Sequence, residues 1–371
     1  MKKIPVGIGI IGSGFARTTQ IPGYKSCPGA RLVAVASRQR ERAELVAREF
    51  DIPNVASNWR ELVDRDDVDL VSVVTPPATH KEIVLAALAN RKAVLCEKPM
   101  AMNAQESQEM VQKASEAGVL ALIDHELRFL PGRQKAFAML REGVIGKVRH
   151  AKYNFRAAYR GNPELPWNWW SDIEQGGGAL GAIDSHVIDS LLWFLDADIS
   201  SVFCQLNTHV RERKDRDGKV HDVTTDDEAN LLLRFADSEL TENATALVAC
   251  SMSEPPEYMN RLEFFGSKGS IRVDNLGELY IAEAGTADWT RVDVDEPIAG
   301  SPNDNGFARG FKYIAPRIVE AIRGGKSTVE DAATFADGVR VQQVLDAARE
   351  SAATGRAVIL GANANAADFA D

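Results

Sequence analysis

Five short apolar runs in the first third of the chain constrain its fold more than any other feature: Val6–Ile11, Leu32–Ala36, Leu70–Val74, Ala93–Cys96 and Val119–Ile123. Each is continuously apolar rather than alternating, the character of strands buried on both faces of a parallel sheet. Amphipathic stretches separate them. Ala43, Val46, Ala47 and Phe50 fall at i, i+3, i+4 and i+7, and Met110, Ala114 and Ala117 repeat at similar spacing, as one buried face of a helix requires. Strand, helix and strand in repetition predict right-handed βαβ units in a doubly wound α/β domain.

After about Asp124 the pattern changes. A helical stretch follows Pro131 (Ala136, Phe137, Leu140), and Val148–Phe155 reads as a strand. From Val202 to about Trp289 the segments are mostly strand-like, with turn signals at Asp217-Gly218 and from Asn275 to Gly277, which predicts a mixed or antiparallel sheet. The charged stretch Arg211–Asp222 reads as a solvated hairpin tip. Gly306–Arg323 and Asp331–Ala353 are helical, the latter with Gly338, Val341, Leu345, Ala348 and Ala352 on one face. A length of 371 residues favours two domains, placed at 1–125 and 126–371.

Composition excludes several classes of function. The formal net charge of −10 argues against nucleic-acid or anionic-membrane partners, which need a basic footprint. Cys27, Cys96, Cys204 and Cys250 lie far apart with no C-x-x-C pair, which argues against a disulfide framework or a thiolate zinc site and fits a reducing compartment. No run approaches the roughly 18 apolar residues needed to cross a bilayer. Lys2 and Lys3 before Ile4–Ile11 imitate a secretory signal, but Gly7 and Gly9 interrupt that stretch and no small-residue cleavage site follows. It is read as a first buried strand of a cytoplasmic protein.

The first strand ends in Gly12-Ser13-Gly14, followed by Phe15, Ala16 and a helical Arg17–Lys25 segment. Gly7, Gly9 and Gly12 also satisfy a G-x-G-x-x-G-like spacing, but they fall inside the strand. Only the later glycines put backbone amides and a helix start where a pyrophosphate can meet them. The third small position is imperfect, since Ala16 falls one residue early and Arg17 occupies the sixth place. The second strand ends at Ser37-Arg38, where an NAD-specific site places a carboxylate on the ribose 2′-hydroxyl. A serine hydroxyl and an arginine fork instead suit a 2′-phosphate, and Arg40 and Arg42 follow closely. NADP is the expected preferred cofactor, with NAD as the other choice.

Further on come Thr75-Pro76-Pro77 with His80, Cys96-Glu97-Lys98-Pro99, and Gly176-Gly177-Gly178 leading to His186-Val187-Ile188-Asp189. In that order and at those intervals the series resembles the glucose–fructose oxidoreductase/inositol dehydrogenase/rhizopine-catabolism (Gfo/Idh/MocA) family over nearly the whole chain. The resemblance implies an N-terminal Rossmann domain and a C-terminal α+β domain built on a large open sheet. It implies a nicotinamide cofactor and oxidation or reduction of a carbinol or carbonyl carbon of a sugar, cyclitol or related polyol. It assigns Lys98 as the catalytic lysine and His186 as the active-site histidine, with Thr75, Pro76, His80 and Glu97 lining the cofactor cleft and a Lys98-Pro99 bond that can be cis. Beside the resemblance, Lys98 stands just past the carboxyl end of a predicted parallel strand, where open α/β sheets place their ligands. A lysine of lowered pKa there can take and return a hydroxyl proton.

The chain departs from the family pattern at one point. Members often carry Asp four residues before the histidine; here that position is Ala182, and Asp184 stands two residues before His186. On a continuous helix Asp184 would point largely away from His186. It is then either a first-turn acid favoured by the helix dipole or, if the segment is irregular, a substrate contact. Proton transfer is therefore assigned chiefly to Lys98, with His186 binding or polarising the reacting oxygen and Asp189 orienting the ring or serving packing.

Trp167, Trp169 and Trp170 offer aromatic faces to sugar C–H surfaces, Trp169 being the candidate taken forward, and Arg128, Arg156 and Asn168 are candidates for binding hydroxyls. His125, between Asp124 and Glu126, has no second ligand cluster at metal spacing, so no metal is expected. Two other functions stay open: a ligand sensor without catalysis, and a redox-neutral NAD-dependent glycosidase. A large open sheet needs its exposed face covered, so a homo-oligomer, dimer or tetramer, is expected.

Overall fold

The computed structural model describes residues 5–296, 298 and 305–361; Lys2, Lys3 and Ile4 lie outside the described residues. The chain divides into two compact units, Met1–Phe129 with Ile298–Arg340, and Leu130–Pro297 with Val341–Asp371. No helix among the described residues is long and apolar enough to cross a membrane.

The first unit holds a six-stranded sheet of β1 (Val6–Ile11), β2 (Ala30–Ala36), β3 (Asn54–Val55), β4 (Leu70–Val73), β5 (Ala93–Cys96) and β6 (Ala121–Ile123), in the order β3-β2-β1-β4-β5-β6. Every ladder is parallel. Strands β1, β4 and β5 are buried throughout, as their apolar sequences require, and Ser72, the one polar residue in them, donates its hydroxyl to Gln20. The helices are α1 (Phe15–Thr18), α2 (Gln20–Ser26), α3 (Arg40–Phe50), α4 (Trp59–Val63), α5 (His80–Ala89) and α6 (Ala104–Ala117). The helix expected after the glycine turn is thus broken at Thr19, whose backbone leaves helical geometry. Strand order reverses between β1 and β4, the switch point at which such sheets bind ligands.

A further helix, α9 (Gly306–Arg323), belongs to this unit although it follows the second unit in sequence. Its face of Phe311, Ile314, Ala315, Ile318 and Val319 joins the cluster of Ile21 and Tyr24. Phe311 meets Tyr24 edge-on at 5.0 Å between ring centroids. Gly23 and Gly310 permit this approach: a Cβ on either would overlap the Phe311 ring or the Glu126 carbonyl. The single sequence boundary at 125/126 leaves this return out, because periodicity reports that a helix has a buried face but not which sheet it covers.

The second unit is built on nine strands in the order β16-β15-β14-β13-β7-β12-β11-β8-β17. These are β7 (Val148–Arg156), β8 (Ile199–Asn207), β11 (Glu228–Phe235), β12 (Thr241–Ser251), β13 (Met259–Gly266), β14 (Gly269–Val273), β15 (Leu279–Glu283), β16 (Thr290–Val292) and β17 (Val358–Ile359). Pairing is antiparallel except between β7 and β12, so the sheet is mixed. One face is covered by α7 (Pro131–Arg141), α8 (Ser185–Leu195) and the part of α10 (Phe335–Thr354) from Val341 onward. Every residue of α8 is buried. On the other face Leu232 stands opposite both Phe203 and Leu247, with relative exposures of 54%, 37% and 40%.

The charged Arg211–Asp222 stretch forms the antiparallel hairpin β9 (Glu212–Lys214) and β10 (Val220–Asp222), turning at Gly218 with φ +84. It is not solvated throughout. Arg213 is buried and donates to the carbonyls of Asn162, at 2.7 Å, and Arg160. Trp167 stacks on His221 at 4.9 Å. The guanidinium ties the irregular 160–165 loop to the hairpin, and Trp167 N donates to the Lys214 carbonyl at 2.7 Å, which makes the hairpin a strap over the tryptophan segment.

Candidate active site

At the end of β1, Gly12 adopts φ +108, and a Cβ there would overlap the carbonyl oxygen of Val74. Glycine is needed because the turn presses on the chain leaving β4. Gly14 differs: nothing lies within 4 Å of the position its Cβ would take. A turn closed beneath and open above leaves room for a dinucleotide pyrophosphate beside the backbone of Gly12, Ser13, Gly14 and Phe15. Ala16 is fully buried and supplies the small residue against the sheet one position early. Ser13 donates from Oγ to Ser37 Oγ at 3.2 Å, tying the turn to the end of β2. Arg38 is exposed beside it. Arg17 pairs with Glu49 at 2.6 Å and Arg40 with Glu44 at 2.9 Å, so part of the expected basic cluster is offset by neighbouring acids.

Lys98 stands two residues past the end of β5, half-buried, with Nζ 6.0 Å from the centre of the Phe15 ring. The Lys98-Pro99 peptide is cis. Thr75 and Pro76, half-buried, leave the end of β4. His80 is fully buried, its Nδ1 3.1 Å from the Pro99 carbonyl and its Nε2 2.8 Å from the Thr75 carbonyl. Burial holds its pKa below the usual imidazole value, against the pull of those carbonyls. The ring therefore packs between the turns after β4 and β5, facing one carbonyl of each.

Glu97 also turns inward. The Gln20 amide donates from one nitrogen to Glu97 Oε1 at 2.8 Å and to Asp124 Oδ2 at 2.6 Å. Its oxygen accepts from Ser72 Oγ. Burial raises the Glu97 pKa, opposed by the Lys98 charge and backbone N–H. Burial raises that of Asp124 further, reinforced by Glu126 and Glu97. Gln20 and Asp124 were not singled out from sequence. The signal was present: Ala16, Gln20 and Tyr24 repeat at i, i+4 and i+8, which puts a glutamine amide on a buried face.

In the second unit, the Gly176-Gly177-Gly178 turn leads into a wide π-helical segment, Leu180–Asp184, that continues as α8. Asp226 caps this entry: its carbonyl accepts from Ala179 N at 3.0 Å and its Oδ2 from Leu180 N at 2.7 Å. Burial pushes its pKa up to about 6. Gly178, at φ +102, has no room for a side chain against the Asp226 carboxylate. A Cβ on Gly177 would meet the carbonyls of Trp169 and Trp170, so the tryptophan segment lies directly on the turn. The irregular segment is the second of the two arrangements considered for Asp184, yet its carboxyl lies beside the Cys250 thiol of β12, fully buried. Burial, then the Asp226 charge, raises its pKa well above the carboxylate range. His186 and Asp189 are buried one turn apart on α8.

The remaining candidates are dispersed. Arg128 is buried in the first unit, 3.5 Å from Asp337 and donating to the Asp331 carbonyl at 3.3 Å. Arg156 lies across the sheet from α8, because it alternates with the inward-facing Tyr153 and Phe155, and pairs with Glu257 at 3.6 Å. Trp169 is half-buried against Trp170, with 5.6 Å between ring centroids. Lys98 and the nucleotide turn belong to the first unit, His186 and Trp169 to the second. Asp226 and Arg213 were missed because each acts through backbone groups, which leaves no residue-type signature.

A doubly wound sheet with a glycine turn open on one side, and a lysine at its carboxyl edge, defines a dinucleotide-dependent oxidoreductase. Residues 6–125 match the oxidoreductase family with NAD-binding Rossmann fold, and residues 133–272 the GFO/IDH/MocA C-terminal domain. An uncharacterized oxidoreductase of Synechocystis sp. is 32% identical over 282 residues, 74% of each chain. Levoglucosan dehydrogenase of Pseudarthrobacter phenanthrenivorans is 28% identical over 94% of this chain and 96% of its own. A solved levoglucosan dehydrogenase in complex with NADH and levoglucosan superposes with a TM-score of 0.86 at 26% identity, covering 96% of this chain and 100% of that chain. The chain belongs to the Gfo/Idh/MocA family of NAD-binding oxidoreductases.

Proposed function

We propose that the protein is a dehydrogenase that transfers a hydride between NADP, or less favourably NAD, and a carbinol or carbonyl carbon of a sugar, cyclitol or related polyol. The observation that carries this reading is the placing of Lys98. It stands just past the carboxyl end of β5, immediately before the Pro99 whose carbonyl faces His80, with its ammonium over the Phe15 ring of the nucleotide turn. A bound nicotinamide would supply the hydride acceptor or donor. Lys98 takes the hydroxyl proton as the alcohol is oxidised and gives it back on reduction, help typically worth about 10²–10⁴-fold. His186 polarises the reacting oxygen. Ala182 stands where family members often carry an aspartate beside this histidine, and the Asp184 carboxyl lies beside Cys250.

The NADP preference is supported by Ser37-Arg38 at the end of β2, where no carboxylate stands to repel a 2′-phosphate. The sugar or polyol class is supported by levoglucosan dehydrogenase among the relatives. A second copy of the chain is proposed to cover the outer face of the nine-stranded sheet, where Phe203, Leu232 and Leu247 form a continuous exposed apolar row.

The test is a panel of sugars and cyclitols with NADP and NAD, followed by nicotinamide absorbance, on the wild type and on Lys98→Met. Turnover with at least one polyol, lost about 100-fold or more in the variant while cofactor affinity is kept, supports the reading. Substrate cleavage without net cofactor turnover would instead indicate redox-neutral hydrolysis. Tight polyol binding without either reaction would indicate a sensor.

A further inference from the structure

We propose that Glu97 and Asp124 hold one negative charge between them, bridged by the Gln20 amide, and that the position of this charge sets the basicity of Lys98. The inference rests on the reading of Lys98 as the proton-transfer group and adds to it the residues that tune that group.

The geometry is a single amide nitrogen within 2.8 and 2.6 Å of two carboxylates from different strand ends. Both acids are buried. Two carboxylates brought together in such surroundings do not both ionise; they share a proton, and the pair carries one charge. Gln20 cannot rotate to offer its oxygen instead, because that oxygen is engaged by the Ser72 hydroxyl. Both amide hydrogens are therefore committed to the acids, which also interact with each other directly.

The groups facing the pair define its field. Lys98 contributes its positive charge and its backbone N–H to Glu97. Glu126, from the turn after β6, acts on Asp124. Cys96 on β5 and Tyr24 on α2 both have pKa values pushed up by burial, so neither adds a charge at working pH. Glu97, being adjacent to Lys98, is the half of the pair whose ionisation favours the ammonium. When the charge moves to Asp124, Lys98 releases its proton more readily. Gln20, Glu97 and Asp124 are thus positioning residues: they hold no substrate, and they act on the reaction through Lys98.

Two isosteric substitutions displace the charge in opposite directions. Glu97→Gln confines it to Asp124, away from Lys98, and makes Lys98 react faster at a given pH. Asp124→Asn confines it to Glu97 and makes Lys98 react more slowly. The measurement is the pH dependence of reductive methylation at Lys98, read by mass spectrometry, together with the pH profile of kcat. In the direction of alcohol oxidation the limb that requires neutral Lys98 moves down in the first variant and up in the second. Shifts in the same direction, or none, overturn the proposal. If Glu97→Gln fails to fold, Asp124→Asn alone decides, since a purely structural role predicts no upward shift. The methylation assay does not depend on catalysis. Opposite shifts there in an enzyme whose Lys98→Met variant keeps its turnover would uphold this charge-sharing and sink the assignment of Lys98 to proton transfer.

Discussion

Replacing Asp226 by asparagine makes the stability of the second unit respond to pH in a way that can be worked out in advance. The carboxyl caps the entry to the α8 segment through Leu180 N and is almost wholly buried, with a pKa pushed up from 3.8 to about 6. Burial is the main cause, partly offset by the backbone N–H groups it accepts and by Arg349. A raised folded pKa means that the folded chain keeps a proton that the unfolded chain has released. The associated stability is complete below about pH 4 and is lost as pH rises toward about pH 6. A shift of roughly two units, at about 1.4 kcal/mol each, amounts to about 3 kcal/mol. The amide introduced by D226N keeps an oxygen for Leu180 N but has no charge to bury. The stability of D226N relative to the wild type should therefore improve by about 3 kcal/mol between about pH 4 and pH 7. The other buried acids contribute slopes present in both proteins and largely cancel. Removing the Asp226 charge also eases Asp184, which moves the difference the same way. The assay is urea unfolding followed by tryptophan fluorescence across that range. An Asp226→Ala control loses the cap as well as the charge, and should lie about 1 kcal/mol below D226N at every pH. Parallel wild-type and D226N profiles would refute the argument that burial of this carboxyl is what the second unit works against.

Two further outcomes test the proposed function. Arg38→Ala should raise the KM for NADP about tenfold, the loss of one charge-assisted hydrogen bond, while leaving that for NAD within about twofold; equal effects on both cofactors would remove the 2′-phosphate reading. Leu232→Lys, at the centre of the exposed row between Phe203 and Leu247, should convert the assembly to monomers while changing the stability of the fold by less than about 1 kcal/mol, and an unaltered mass by light scattering would mean that this face is not the interface.

What the sequence made legible was whatever depends on residue type at short range. The parallel strands announce themselves as continuous apolar runs because both faces are buried. Gly12 is readable because the turn after β1 tolerates nothing larger, and helix α9 begins and ends where its periodicity does. What escaped depends on which element meets which. Periodicity placed α9 as a helix but could not attach it to α2. Alternation along β7 identified a strand, but the side that α8 covers was needed before Arg156 could be placed. The spacing of Asp184 from His186 supposes a regular helix, and the π-helical segment carries the carboxyl to Cys250 instead. Glu97 matched a family position, yet its direction is decided by Gln20, from a helix far away in sequence.

The return of α9 to the first unit bears on how the protein is made. As the chain leaves the ribosome, the parallel sheet can assemble once residue 129 has emerged, but Ile21, Tyr24 and Phe129 then wait for Phe311 and its neighbours to cover them. Those residues are synthesised only after every strand of the second unit's large sheet except β17 has been translated. The nascent nucleotide-binding half thus spends that interval with an apolar groove open to chaperones or to other chains. A circularly permuted gene that joins the 305–340 segment to the front of the chain would close the groove at once, and would show whether yield in the cell is limited by the order in which the two halves are completed.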